Sequence, residues 1–293
     1  MKVVTKPLFR KIVVFGVGLI GGSFALALRR VNAVEEVVGF GRSERTLAQA
    51  QQLGIINRSG SDFATELGDA DLILLATPVG QMADIMARIA PHLGAHTIII
   101  DGGSTKCDVV GHAYKHLAAH IARFIPAHPI AGSEQSGALA ARADLYQNKK
   151  VILTPLPENS ADTVSRVRLA WELCGALVSE LTPKQHDEVF AAVSHMPHLL
   201  SFALVHDLAL RENRDLLLSF AASGFRDFTR IAASSPEMWR DICLANRDAL
   251  LIEMGRYMKE LETLHNALAE ADGDKMEEIF SIASALRINW SPQ

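Results

Sequence analysis

The sequence predicts a doubly wound, mostly parallel α/β sheet followed by an all-helical domain. Short β-branched runs alternate with helical patterns as far as about residue 182, a glycine-rich turn joins the first run to the first helix, and strand signals then stop. The runs read as unbroken Val, Ile and Leu rather than alternating with polar residues, as in strands buried on both faces beneath helices. The chain has 293 residues, 49% apolar and 21% charged, which is material for two cores. The expected division is 1–182, a dinucleotide-binding domain, and 183–293, a helical substrate-binding and dimerisation domain.

The first run, 11–15, leads into Gly16-Val17-Gly18-Leu19-Ile20-Gly21 and then a helix. A G-x-G-x-x-G between strand and helix is the setting of a Rossmann-type cofactor loop. One glycine permits the turn, one lets the backbone approach a pyrophosphate, and one allows close packing of helix on sheet, while the helix amides hold the anion. The alternative is a glycine turn that binds nothing. Lys2, Lys6, Arg10 and Lys11 ahead of the apolar stretch 12–28 imitate a secretory leader, but glycines interrupt the stretch and Arg29-Arg30 stands where a cleavage site would be wanted.

The second run, 36–40, ends in Gly41-Arg42-Ser43-Glu44-Arg45, with no acidic residue at the strand end to grip the ribose hydroxyls of NAD. A guanidinium and a hydroxyl there suit a 2′-phosphate, so NADP is the expected cofactor. NAD remains possible through Glu44, and Arg42 and Arg45 read equally as solvated loop charges. The expected cofactor contacts are Gly16, Gly18, Leu19, Ile20, Gly21, Arg42 and Ser43, with Thr77 and Pro78 after the third run, 72–76.

The fourth run, 97–101, opens into Asp101-Gly102-Gly103-Ser104 at the carboxyl edge of the sheet, where Ser104 could bridge cofactor and substrate or simply cap a helix. The fifth, 123–126, leads to His128, expected just past a strand end. That histidine is either a general base or a hydrogen-bonded structural residue. Runs at 151–154 and 176–181 complete the sheet.

Helical patterns then cover 186–211, 220–231, 236–270 and a last stretch ending near Arg287. His195 and His198 are three apart, on neighbouring positions of a helix face, and could line a substrate pocket. A zinc pair is the competing reading, but no third ligand has suitable spacing, so no metal is expected. A stripe of Leu199, Leu200, Ala203, Leu204 and Leu208 suits a homodimer interface or an ordinary core.

The formal charge of −4 carries no long block of either sign, so neither nucleic acid nor a membrane is an expected partner and a small molecule is. No transmembrane span is expected. Cys107, Cys174 and Cys243 fit no zinc or redox spacing, which points to reduced thiols in a cytoplasmic protein.

Five blocks resemble the prephenate/arogenate (cyclohexadienyl) dehydrogenase family of tyrosine biosynthesis, in order and over essentially the whole chain. They are Gly-Leu-Ile-Gly-Gly-Ser at 18–23, Asp-Gly-Gly-Ser at 101–104, His-Pro-Ile-Ala-Gly-Ser-Glu at 128–134, Ser-His-Met-Pro-His at 194–198 and Phe-Arg-Asp-Phe-Thr-Arg-Ile at 225–231. The resemblance implies oxidation of a cyclohexadienol ring hydroxyl by hydride transfer to NAD(P), with loss of the ring carboxylate as carbon dioxide. It implies that His128 takes the hydroxyl proton, that Ser104 holds the same hydroxyl, and that Arg230 binds the ring carboxylate. His198, and less surely His195, would lie near the side-chain carboxylate. Trp239 and Glu134 stand nearby without an assigned role. With neither a mutase extension nor a regulatory domain recognisable, tyrosine inhibition would be competitive. The alternatives are a β-hydroxyacid-type dehydrogenase, for which Lys184 is the nearest candidate base, and a non-catalytic NADP-binding module.

Overall fold

The structure, a computed structural model, describes residues 6–132, 135 and 137–290. It forms two compact units, one running to Arg247 and the other beginning at Asp248.

In the first unit, β1 (Phe9–Phe15), β2 (Val34–Phe40), β3 (Arg58–Ser59), β4 (Leu72–Leu75), β5 (Ile98–Asp101) and β6 (Phe124–Ile125) make a parallel sheet in the order β3-β2-β1-β4-β5-β6. The strand order reverses beside β1, and this is the point where such sheets open a crevice at their carboxyl ends. Successive residues of β1 serve opposite cores. Ile12 and Val14 join Phe24, Leu28 and Trp171 on one face, while Val13 and Phe15 join Met82, Met86 and Val109 on the other. Each such side chain removed from water contributes roughly 1.5–3 kcal/mol. The helices covering the sheet are α1 (Leu19–Arg30), α2 (Glu44–Gln52), α3 (Phe63–Glu66), α4 (Met82–Ile89), α5 (Cys107–His116) and α6 (Ala161–Leu173).

The sheet is not continuous to its last strand, as the sequence suggested. β7 (Ala127–Pro129), β8 (Lys150–Leu153) and β9 (Leu177–Glu180) form a second sheet, in which β7 runs antiparallel to β8. Pro126 is the physical reason. It has no N–H for a ladder, so β6 stops at Ile125 and the chain re-enters as a separate edge strand at Ala127.

Thr182 opens the helical part with a reciprocal cap: its hydroxyl accepts from the Gln185 amide while the Gln185 side chain accepts from the Thr182 amide. The run expected over 186–211 is split. α7 (Pro183–Phe190) passes through a π turn at Ala191–His195 into α8 (Met196–Ala209). Pro197, in the first turn of α8, lacks an amide hydrogen and crowds the carbonyl four residues before it, which forces the wider turn. By length and composition Pro183–Ala209 holds an 18-residue window apolar enough to span a bilayer, with a mean hydropathy of 1.3. Within this unit, however, it buries His186, Asp187 and His195, groups that hydrocarbon would not accept.

α9 (Arg214–Ser219), α10 (Ser223–Thr229) and α11 (Pro236–Ala245) complete the first unit. The helix expected over 236–270 breaks at Asn246, whose side chain is committed to Asp187 and His195. The second unit comprises α12 (Arg247–Ala269) from Asp248 onward and α13 (Gly273–Asn289), with Asp272 capping the latter through the Lys275 amide at 2.9 Å.

Candidate active site

At the first crossover, Gly16 has a φ of +90°, and a Cβ there would lie 2.5 Å from the Ala76 carbonyl oxygen. A Cβ at Gly21 would stand 2.2 Å from the Gly16 oxygen, so α1 can approach β1 this closely only without one. Gly18 faces the open side, where the nearest atom to such a Cβ is 3.9 Å away, on Gly137. α1 starts at Gly18 with no side-chain cap and no acid in its first turn, leaving its amides to an anion. Beside Gly16, the Thr77 hydroxyl is buried without a partner among the described residues. Pro78 then leads into the turn Val79–Gln81. This cradle fits a dinucleotide pyrophosphate.

Beyond β2, Arg42 and Ser43 are exposed and Arg42 forms no ion pair among the described residues. The Ser43 oxygen accepts from the Thr46 amide at 3.3 Å as the cap of α2, which leaves its hydroxyl hydrogen to donate elsewhere.

Buried Asp101 organises the opposite side of the crevice. One oxygen accepts from the Gly103 amide at 2.8 Å and pairs with the buried Lys106 ammonium, while the other accepts from the Ala127 amide at 3.0 Å. A single carboxylate therefore ties the turn bearing Ser104 to the strand bearing His128. Ser104 is not the cap of α5, since Lys106 holds that position. No described side chain engages its hydroxyl.

His128 lies within β7, opposite Ile152, rather than past a strand end. Its Nδ1 is 2.8 Å from His186 Nε2, and its ring packs on Phe190 with centroids 4.8 Å apart. His186 Nδ1 lies 2.8 Å from Asp187 Oδ1, and the two Asp187 oxygens accept the Lys106 and Cys107 amides, each at 2.8 Å. Burial, aided by His186 and the Lys106 charge, pushes His128 well below the usual imidazole pKa, and burial lowers His186 as well. At Asp187, burial acts to raise the pKa but is outweighed by the hydrogen bonds from His186, Cys107 and Lys106, so the group stays ionised.

His195 is buried to 1% exposure. Its Nδ1 accepts from the Asn246 amide at 3.0 Å, leaving Nε2 to carry the hydrogen with no partner among the described residues. Burial brings its pKa down to about 4. His198 donates from Nδ1 to the Ser194 carbonyl at 2.9 Å and stacks on Trp239, centroids 3.6 Å apart and planes 20° from parallel. Its pKa is lowered by burial, with the Arg230 cation adding to the effect. Arg230 itself is exposed and begins the turn Arg230–Ala233.

Asp101 thus links the turn bearing Ser104 to the strand bearing His128, His195 lies near His128 and His198 near Arg230, while Arg42 and Ser43 follow the end of β2. His186, Asp187, Asn246 and Trp239 complete the site. The sequence signal for the first two was their place on the inner face of α7 with Phe190, at helical spacing. Ser133 and Glu134 lie outside the described residues. Lys184 is exposed and its ammonium lies 3.7 Å from Glu188.

Residues 24–180 match the family model described as prephenate dehydrogenase, nucleotide-binding domain, and residues 182–282 match prephenate dehydrogenase, dimerization domain. The chain is 35% identical to the prephenate dehydrogenase of Bacillus subtilis over 94% of its own length and 75% of that protein's. It is 34% identical to the cyclohexadienyl dehydrogenase of Zymomonas mobilis over 96% of both. Among solved structures, that of prephenate dehydrogenase from A. aeolicus in complex with hydroxyphenyl propionate and NAD+ superposes with a TM-score of 0.87 at 33% identity, covering 96% of this chain and 98% of the other.

Proposed function

The chain belongs to the prephenate dehydrogenase family of NAD(P)-dependent oxidoreductases, and we propose that it converts prephenate, arogenate or both to 4-hydroxyphenylpyruvate or tyrosine, preferring NADP to NAD. The division at 182/183 is the one we propose for its domains. A homodimer formed through the helical half, working in the cytoplasm, completes the reading.

The observation that carries it is the Asp101 carboxylate. By holding the Gly103 and Ala127 amides it sets Ser104 and His128 on one edge of the crevice that the glycine loop enters. Bound nicotinamide would supply the hydride acceptor. His128 takes the proton of the ring hydroxyl on Nε2, and Ser104 holds the same oxygen through its uncommitted hydroxyl. Arg230 binds the ring carboxylate, for which a planar guanidinium is suited, until that group leaves as carbon dioxide. His195 and His198 line the pocket on the other side, at the substrate's side chain. Arg42 and Ser43, with no acid at the end of β2, support the NADP preference.

The test is cofactor reduction with prephenate, with arogenate and with a 3-hydroxy acid, each against NADP and NAD. Turnover of a cyclohexadienyl substrate, with the higher kcat/KM for NADP, is the expected result. No reduction with either such substrate would overturn the assignment, and a higher kcat/KM with NAD would overturn the cofactor preference.

A further inference from the structure

We propose that His186 and Asp187 are positioning residues for His128, forming a His–His–Asp relay that fixes its tautomer and leaves Nε2 as a bare proton acceptor. The inference rests on the reading of His128 as the base.

Asp187 faces three donors: the Lys106 and Cys107 amides and the ring of His186. An ionised carboxylate can only accept, so His186 Nδ1 must carry its hydrogen. A neutral His186 is then left with a lone pair on Nε2. The atom facing that lone pair at 2.8 Å is His128 Nδ1, which must donate. A neutral His128 so oriented has its own lone pair on Nε2, and no described residue occupies it. Each group is left one role, and the order begins with backbone amides that cannot rearrange.

The arrangement also serves the step itself. As the hydroxyl O–H bond breaks, a new N–H bond forms on His128 Nε2, and the ring becomes a cation buried beside Lys106 and His195. The Nδ1–H bond to His186 spreads that charge toward Asp187, whose carboxylate meets it. Lys106 opposes the cation, but its own charge is paired with Asp101. The Phe190 ring packs on both imidazoles, with centroids 4.8 Å from His128 and 4.5 Å from His186, and restricts their rotation. The remaining face of His128 is left for substrate.

The same geometry defines what each substitution does. Asp187→Ala removes the oxygen that accepts from His186 Nδ1, so nothing then fixes the hydrogen of His186 or, through it, that of His128. His186→Leu removes the acceptor altogether. His186→Gln restores one, because its carboxamide oxygen can accept from His128 Nδ1.

The test is a long-range 15N–1H correlation spectrum of the histidine-labelled full chain without substrate, joined to kinetics of the three variants. Wild type should show His128 protonated on Nδ1 with a pyridine-like Nε2, and Asp187→Ala should mix the two tautomers. Asp187→Ala and His186→Leu should lower kcat by about ten- to a hundredfold with KM and NADP affinity little changed. His186→Gln should recover most of the loss. Protonation of His128 on Nε2 in wild type, or an Asp187→Ala enzyme with unchanged tautomer and kcat, would overturn the relay. If Asp187→Ala does not fold, because the carboxylate also holds the Lys106 and Cys107 amides, the contrast between Gln and Leu at 186 decides: equal losses in both overturn the proposal. A wild-type spectrum as expected from an enzyme inert toward prephenate and arogenate would instead sink the functional assignment alone.

Discussion

At the scale of single residues, the site depends on keeping imidazoles neutral. The folded pKa of His128 is lowered from 6.5, so the basic form is already complete at neutral pH. Acidification must go below the ordinary histidine range before the base is lost. The kcat/KM profile, which reports the free enzyme, should therefore stay level through pH 6.5 and fall only on the acid side. An acid limb centred at or above 6.5 would contradict that environment. Arg230 calls for a different signature. Its carboxylate contact exists in the ground state, so Arg230→Ala should raise KM by about tenfold or more and change kcat far less. Steady-state kinetics with an unaltered KM would remove Arg230 from the binding site.

At the scale of elements, the glycine loop makes the firmest demand. A Cβ at position 21 would sit 2.2 Å from the Gly16 oxygen and 2.7 Å from a Val14 methyl, both in packed surroundings. Gly21→Ala should cost about 1–3 kcal/mol of stability and weaken NADP binding, as read by urea unfolding and titration. Wild-type values in both would mean that helix and strand are not as close as described. This loop was legible in the sequence because strand, glycines and helix are consecutive. β7 was not, because three residues after a proline carry no periodicity of their own. The π turn was hidden for a related reason, since Pro197 looks like a helix start and only its carbonyl clash widens the preceding turn. His186 and Asp187 were overlooked because Lys184-Gln185-His186-Asp187-Glu188 reads locally as a solvated helix face. Only the packing of α7 against the start of α5 turns Asp187 inward, onto two amides eighty residues away in sequence.

At the scale of the whole molecule, the sequence marks a change of composition at 182, whereas the compact unit continues to Arg247. The reason lies in particular contacts: Trp239 and Ile242 of α11 share an apolar cluster with Val79 and Met82, and Asp187 is bonded into α5. The second unit leaves Phe280, Ile282, Leu286 and Ile288 exposed along α13, a larger apolar display than a solvated helix carries. If these residues form the dimer interface, Ile282→Glu with Leu286→Glu should shift sedimentation velocity from dimer to monomer while the fold persists. A dimer that survives both substitutions would place the interface elsewhere.

The central claim is that His128 accepts the hydroxyl proton during oxidation, and His128→Asn tests it most directly, assayed with whichever of prephenate and arogenate the enzyme turns over. The account predicts a kcat lower by about two to four powers of ten with NADP affinity retained. Activity within twofold of wild type would contradict it and return His128 to a structural role.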